Sequence, residues 1–588
     1  MDETDARVAF SIATDPWIPV IYLDGSRGEL SIVDVFDRAA DIRRIQGDVP
    51  MQELPIVRLL LAILYRANSP SAADGGVLGK KDVLDLWHSL WIAGKFDMDC
   101  IRGYLEYFSD RFYLDDPSHP FYQVPDLEYV GKEPDGVDEL VADVPKPEKF
   151  LFSMRARGTI SSLSLAEGVR WLIFQQSYAP AGIKTPVVGN SHVKSGKVYA
   201  PKGSVGTGLL GAEGGVFLEG ENLFQTLMLN WVLFDEKRKN GHLICGNAAG
   251  FPSWEADETT PDLVPATIGN PGNPVGAYTW QSRRMRLVFD ETGQRVVGVV
   301  SCYGDIPSIV NGTDAEPMTA WRKSEAQQKK LGLPSVPLMP RAHDSERAIW
   351  RGLSAIVATE KESEDCRPGV VRWAELLQEE EILPRETLPY VAIHAQGMSY
   401  GTQSSVFEDG VDDVLDVSSA LLRHDSPACL SSLNVIAQAD EAVELLVRFV
   451  RNVQRASGDK SAKDRARVKS SYVRAQAFGE IDHLCRDRIA HFPDDGDTVI
   501  DEYCIEWRAE IRSTLLALEG EYLRECAPSL FAERYEKPED KKSDRGMTVG
   551  KADAIFRASL NKALLSPLYK EENSSFKAVG SATLSEGM

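Results

Sequence analysis

The chain has 588 residues, 43% of them hydrophobic, with 65 Lys and Arg against 88 Asp and Glu, for a formal net charge of −23. That length exceeds one ordinary core and implies two or more domains, and the hydrophobic fraction excludes a disordered chain. The charge excludes indiscriminate attachment to nucleic acid or to an anionic membrane, so any contact with DNA must come from local basic patches.

The opening residues predict a strand hairpin around the turn signal Asp24-Gly25, followed by a short helix. Just before it, the prolines of Asp15-Pro16-Trp17-Ile18-Pro19-Val20 hold the chain extended, with Trp17 as a core anchor. Apolar residues at helical spacing predict helices over 53–66 and 80–93. The aromatic run FYLDDPSHPFYQV (112–124) cannot be a regular helix, because Pro117 and Pro120 break it. Residues 125–149 are acidic and contain prolines, which predicts an exposed connection.

The segment from Phe152 to Gly211 departs from the acidic average. It carries Arg155, Arg157, Arg170, Lys184, Lys194, Lys197 and Lys202 against Glu167 alone, together with nine glycines. Glycine lets a backbone approach a ligand closely, and the cations supply counter-charge for phosphate. The segment reads either as a nucleic-acid surface or as a long mobile loop that is basic by chance. Within it, Leu163–Ser177 predicts a helix burying Trp171 and Phe174, flanked by loops over 153–162 and 179–215.

Further along, residues 222–236 predict a strongly apolar helix, and 255–276 a long surface loop. Residues 277–287 and 295–302 alternate like paired strands around an Asp290–Gly293 turn, with Arg283, Arg284 and Arg286 as a solvated strand face. Residues 388–396 predict a strand, with GMSYGTQSS as its loop. From about Val411 the pattern turns helical, over 413–424, 430–457, 463–491, 498–526 and 548–566, as in an antiparallel bundle. Inside it, Arg448, Arg451, Arg455, Lys460, Lys463, Arg465, Arg467, Lys469 and Arg474 face only Asp459 and Asp464 over residues 448–474. This helix–helix corner reads as a second phosphate surface or as a solvated hairpin.

Catalytic signatures are missing or lack their context. There is no HExxH and no P-loop. Residues 206–211 match GxGxxG, but no helix pattern follows to hold a pyrophosphate. Residues 397–401 match GxSxG around Ser399, yet the downstream pattern supplies neither the helix nor the later strands of a serine hydrolase. The eight cysteines form no CxxC pair, and the nine histidines have no metal-ligand spacing, so neither a cofactor nor a metal is expected. The acidic start MDETDARVAF lacks the apolar core of a signal peptide, and Leu54–Tyr65 is too short to span a bilayer, which predicts a cytoplasmic protein without a membrane partner.

Several stretches, in order, carry a resemblance: DPWIPV at 15–20, FYLDDPSHPFYQV at 112–124, EGENLFQTLMLN at 219–230, MTAW at 318–321, and the Gly–strand–loop segment at 397–405. The chain resembles the large subunit of the type I-E CRISPR surveillance complex Cascade, the CasA family. The resemblance implies an α+β protein, with a large mixed α/β domain over 1–410 and an antiparallel four-helix bundle over 411–588. It implies a non-enzymatic subunit that partners the guide-RNA-containing subunits and reads the protospacer-adjacent motif on duplex DNA. It further implies that this subunit starts strand separation for R-loop formation and helps recruit a helicase-nuclease.

On the matching positions, the aromatic of one DNA-reading loop falls on Phe152 and the glycine loop on Ala181-Gly182-Ile183-Lys184. The strand-separating wedge falls on Thr402-Gln403. Where some members carry a triple-glycine run this chain has AGIKTPVVG, and it lacks the zinc-binding cysteine pairs of others. Around these, Arg155, Arg157, Lys194 and Lys197 are the candidate phosphate contacts, and Arg448, Arg451, Arg455, Lys463, Arg465, Arg467 and Lys469 are candidates for phosphates of the displaced strand or the flanking duplex. The rival expectations are a serine hydrolase using Ser399 and an acidic scaffold that only docks subunits.

Overall fold

A computed structural model describes residues 10–69, 78–144, 158–201, 206–239, 241–257, 259–264, 271–357, 366–456, 462–494, 496–526 and 547–564. The chain begins with strands β1 (Ile18–Tyr22) and β2 (Arg27–Leu30), helix α1 (Ile32–Asp37) and strand β3 (Ile42–Ile45). They form an antiparallel sheet in the order β2-β1-β3, with the Asp24-Gly25 turn where the sequence places it. Trp17 is fully buried, and its indole N–H donates to the carbonyl of Ile12 at 2.8 Å.

Helix α2 (Glu53–Ala67) buries nearly every side chain, as a helix apolar on all faces must. Its buried cation, Arg58, pairs with Glu316 at 2.7 Å and lies over the Tyr278 ring at 4.6 Å. Helices α3 (Lys80–Ala93) and α4 (Met98–Tyr107) follow. Residues 125–144 are not an exposed connection. Leu127, Tyr129, Leu140 and Val141 are buried, and the segment contributes strand β4 (Asp135–Gly136).

Strand β5 (Leu163–Ser164) leads into α5 (Leu165–Tyr178), which starts with a capping box between Ser164 and Glu167. Trp171 and Phe174 are buried on it as the spacing requires. The glycine-rich run then forms the hairpin β6 (Val193–Lys194) and β7 (Lys197–Val198), before β8 (Gly215–Glu219).

Helix α6 (Leu223–Asn230) is half the length its apolar run predicts. The Asn230 side chain bonds both the N–H and the carbonyl of Leu218, at 2.9 and 2.7 Å, and the still-apolar Trp231–Phe234 continues without helix. A short apolar run has no period that separates helix from extended chain. The 255–276 stretch is not purely surface either, since Leu263 enters the core and α7 (Pro274–Tyr278) begins within it.

Strands β9 (Arg283–Phe289) and β10 (Arg295–Tyr303) pair across the expected turn, and β10 also pairs with β4 and β5. A small pair, β11 (Trp321–Lys323) and β12 (Leu338–Pro340), flanks α8 (Glu325–Leu331), and α9 (Ser354–Val357) and α10 (Gly369–Glu379) come next. Strands β13 (Tyr390–Tyr400) and β14 (Phe407–Ser418) complete a sheet ordered β14-β13-β8. The expected helix over 413–424 is therefore wrong in its first half. Leu415 and Val417 are buried while Asp416 is exposed, a period of two that strand pairing exploits.

The C-terminal helices are α11 (Pro427–Ala456), α12 (Ala462–Ala490), α13 (Asp497–Glu525) and α14 (Val549–Ala563), with α11 packed against the other three. Trp507 of α13 is fully buried among them. The fold is a mixed α/β body with a C-terminal four-helix bundle. By packing, the chain divides into Met1–Arg347 with Thr359–Val414, and Ala348–Ala358 with Leu415–Met588.

Candidate nucleic-acid interface

The glycine-rich run after α5 is pinned at close intervals. Lys184 and Val198 exchange backbone hydrogen bonds at 3.0 Å, and Val198 pairs in turn with Val193. On the other side, Val130 N–H donates to Pro186 and Val188 N–H to Glu128, both at 2.9 Å. Val187 and Val198 are buried with Tyr129, Cys302 and Tyr303 in one apolar cluster. Residues 179–200 are thus tied into the fold by backbone bonds on both sides and by buried valines.

Gly182 sits at φ +128°, a conformation that side-chain-bearing residues rarely adopt. Its N–H donates to the Tyr303 hydroxyl at 3.1 Å, and that hydroxyl donates to the Gly182 carbonyl at 2.6 Å. Lys184 Nζ lies 3.3 Å from the Pro180 carbonyl and 5.9 Å from the Tyr303 ring centre. Lys194 and Lys197 flank the exposed tip of the β6–β7 hairpin, where Ser195 and Gly196 take φ +52° and +70°. The hairpin hangs from the glycine loop through Val198, so the structure gathers Gly182, Lys184, Lys194 and Lys197 into one substructure.

Arg283, Arg284 and Arg286 are not a solvated face. Arg283 is 1% exposed, and its guanidinium donates to the carbonyls of Ala179, Pro180 and Gly206 at 3.1, 3.0 and 2.7 Å. Burial lowers its pKa. Arg284 is held by Asp305 at 2.5 Å, and Arg286 donates to the Leu127 carbonyl at 2.7 Å. Arg170 is buried too, spent on Asp48 and Glu29. The GxGxxG look-alike is a packing device. At Gly208 an added Cβ would lie 2.4 Å from the Ser177 backbone, so the chain can cross the end of α5 only there as glycine.

The turn between β13 and β14 faces this loop. Ala181 N–H donates to the Ser404 carbonyl at 2.8 Å, and an added Cβ on Gly182 would lie 3.9 Å from the Ser405 Cβ. Gly401 N–H to Val406 closes the turn at 3.0 Å, and the Tyr400 hydroxyl ties its base to the Tyr178 carbonyl at 2.6 Å. Gln403 and Ser404 are both left-handed, at φ +58° and +53°. Thr402 and Gln403 are exposed, and among the described residues nothing hydrogen-bonds the Gln403 amide. A cavity of about 200 Å³ opens beneath, lined jointly by Ala179, Lys184 and Thr185 of the loop and by Val406 and Phe407. Ser399 lies within the straight strand β13, which is followed by a turn and another strand, so the strand-to-helix elbow of a hydrolase is not formed.

Sequence reasoning missed the support under this turn. His394 of β13 is fully buried, 2.7 Å from Asp412 of β14, 3.5 Å from Glu219 of β8 and 3.9 Å from Glu53. Burial disfavours its charge, but the hydrogen bond to Asp412 and the nearby carboxylates of Glu219 and Glu53 outweigh it and raise its pKa to about 9. Burial raises Glu53 to about 7, against the pull of His394 and Arg44. Burial also opposes ionisation of Asp412, yet hydrogen bonds from His394 and Gln396 hold its pKa below the usual value. Only the spacing of His394 and Gln396 on one strand face hinted at this, and polar residues in a strand ordinarily mean a wet face.

The bundle presents the other candidates. Arg448, Arg451 and Arg455 form an exposed stripe on α11, at helical spacing. Arg451 and Arg455 have no carboxylate partner among the described residues, whereas Arg474 is spent on Glu444 at 2.7 Å. Lys469 is exposed and lies in the electrostatic neighbourhood of Cys526, at the end of α13. Phe152, Arg155 and Arg157, and the side chains of Lys463, Arg465 and Arg467, lie outside the described residues. Among the described residues no group of His, Cys, Asp or Glu could hold a metal ion, and no helix is long and apolar enough to cross a membrane.

Comparison with known proteins agrees with the resemblance. The family model of CRISPR-associated protein Cse1 matches residues 12–518. A CRISPR-associated protein CasA/Cse1 of Thermus thermophilus is 31% identical over 353 residues, 59% of this chain and 60% of that relative's length. The crystal structure of Thermobifida fusca Cse1 superposes with a TM-score of 0.79 at 33% identity, covering 95% of this chain and 98% of that one. A chain of a CRISPR RNA-guided surveillance complex shares the fold, with a TM-score of 0.65 at 18% identity over 94% of this chain and 99% of its own. The pinned glycine loop, the sheet that carries the facing turn and the C-terminal bundle thus occur in a chain that belongs to the Cse1 (CasA) family of CRISPR-associated proteins.

Proposed function

We propose that this protein is the large, non-catalytic subunit of a CRISPR RNA-guided surveillance complex of type I-E, and that it reads the protospacer-adjacent motif on duplex DNA. The observation that carries the reading is the Ala181–Ser404 backbone bond, which ties the glycine loop to the Gln403 turn. The loop offers backbone and Lys184 to a minor groove, whose degenerate pattern suits a short, loosely specified motif. Gln403 supplies a free amide at a fixed tip, and side chains inserted from the minor groove unstack base steps. Splitting the first pairs lets guide RNA compete for the target strand, an exchange near balance in RNA-guided systems, so nucleation suffices.

Lys194 and Lys197 extend the grip to flanking phosphates, and Arg448, Arg451, Arg455 and Lys469 serve the displaced strand. The net charge of −23 keeps the isolated subunit a weak DNA binder, so the phosphate grip comes mainly from its partner subunits in the cytoplasm. A helicase-nuclease of the same system acts on the opened duplex. The test is a mobility-shift series with the guide-RNA-loaded partner subunits, with and without this chain, on duplexes varied in the trinucleotide flanking the target. Affinity that depends on the trinucleotide only when this chain is present supports the reading. Affinity indifferent to both sinks it and returns the acidic-scaffold alternative.

A further inference from the structure

The geometry points to Tyr303 as the positioning residue of the motif-reading loop, with Arg283 as its base. This rests on the function proposed above and adds to it a mechanism for loop preorganisation. Tyr303 ends β10, and its hydroxyl engages both polar backbone groups of Gly182, receiving the N–H at 3.1 Å and donating to the carbonyl at 2.6 Å. A single hydroxyl therefore fixes the plane of both peptides around the one residue whose φ of +128° sets the course of the loop.

The ring is held from below. The Arg283 guanidinium lies 4.9 Å from the Tyr303 ring centre, and Lys184 Nζ lies 5.9 Å from it. Arg283 is buried and meets carbonyls rather than a carboxylate, at Ala179, Pro180 and Gly206, the three points where the loop leaves α5 and returns. Carbonyl oxygens take the Nη hydrogens and an aromatic face covers the plane, none of which cancels the charge, while Nε is buried without a hydrogen-bond partner among the described residues. The loop thus keeps a fixed positive charge beneath it, in a protein whose total charge would repel DNA. Neither residue needs to touch DNA. They hold the course of the loop and the Lys184 side chain where a groove would meet them, and binding pays less ordering cost when the loop is already set.

The experiment uses the full chain reconstituted with its partner subunits and guide RNA. Tyr303→Phe removes only the hydroxyl and keeps the ring over Arg283. Two targets are compared: a closed duplex with matched or mismatched flanking trinucleotide, and the same sequence with the first guide-paired positions pre-opened as a bubble. The expected result is that Tyr303→Phe lowers the matched-to-mismatched affinity ratio on closed duplex by about tenfold, the scale of one lost hydrogen-bonding group. Binding to the pre-opened target stays within about twofold, because the loop is no longer needed to start opening. Thermal melting of the variant checks that the fold survives, and Tyr303→His, which keeps a ring with a donor, serves as a second variant with partial rescue expected. An unchanged ratio in Tyr303→Phe, or an equal loss on both targets, overturns the positioning role. A wild-type complex without any trinucleotide dependence instead overturns the underlying function.

Discussion

The N–H of Ala181 donates to the carbonyl of Ser404 at 2.8 Å, joining the loop after α5 to the turn between β13 and β14 through main chain alone. Apart from Ala181→Pro, which removes the donating N–H, no substitution deletes that bond directly. Variants at the tip therefore report on recognition with little effect on how the two segments are held.

The first consequence concerns Gln403. Its side chain is exposed and unengaged, so Gln403→Ala should shift thermal stability by no more than about 0.5 kcal/mol. R-loop formation on closed duplex should slow by roughly tenfold or more, the scale of a lost specific contact. Fluorescence of 2-aminopurine placed at the first guide-paired position measures it. Normal opening rates in this variant would remove the wedge role.

Gly182→Ala should act through backbone strain. The added Cβ meets only Ser405 Cβ, at 3.9 Å, so there is room, but φ +128° is costly for alanine. Strain of this kind costs on the order of 1–3 kcal/mol, or moves the loop to avoid it. Either a lowered Tm or a loss of trinucleotide discrimination at unchanged Tm is expected. A variant identical to wild type in both would show that the loop conformation does not matter.

The buried His394 gives stability a pH dependence with a defined sign. Its folded pKa of about 9 lies above the ordinary 6.5, so its contribution is complete below pH 6.5 and is lost as pH rises through 9. Glu53, raised to about 7, adds a loss of the same sign over a lower range. The His394 share amounts to at most roughly 3 kcal/mol. Urea melts between pH 6.5 and 9 should show falling stability, and His394→Gln should flatten that slope. A slope unchanged by the substitution would assign it elsewhere.

For the bundle, replacing Arg448, Arg451 and Arg455 together with alanine removes an exposed stripe without touching the core. If these residues meet phosphates of the displaced single strand, the slope of log affinity against log salt should shrink by about 2, near 0.7 per contact. Melting temperature should barely move. An unchanged salt slope at full R-loop formation would limit the stripe to solvation.

Much of this architecture was legible in the chain. The Asp24-Gly25 hairpin, α2, α3, α5 and the β9–β10 pair follow from periodicity and turn chemistry, and α11 to α14 match their helical patterns to within a few residues. Errors arose where tertiary partners outvoted local pattern. Asn230 ends α6 by bonding β8, and the acidic run at 412–416 becomes a strand because β13 lies alongside it. The candidate site was half visible. Gly182, Lys184 and Gln403 could be named from the resemblance, but Tyr303 and Arg283 could not, because a basic strand reads as solvated until its carbonyl partners are seen. The His394–Asp412–Glu219 contact joins the β13–β14 hairpin to β8, about 175 residues earlier, which no local spacing encodes.

The left-handed pair Gln403-Ser404 also limits how this surface can evolve. The turn is closed by Gly401–Val406 and docked by Ala181–Ser404, so folding makes few demands on its side chains. The backbone still favours residues at ease with positive φ, chiefly Gly, Asn and Asp, at two adjacent positions, yet this chain places Gln and Ser there. Drift at the tip is thereby biased by backbone conformation at 403 and 404 and left open at Thr402 and Ser405. A library covering those four positions is small enough to screen exhaustively, which makes the turn an exchangeable cassette for retuning which short DNA sequences are accepted.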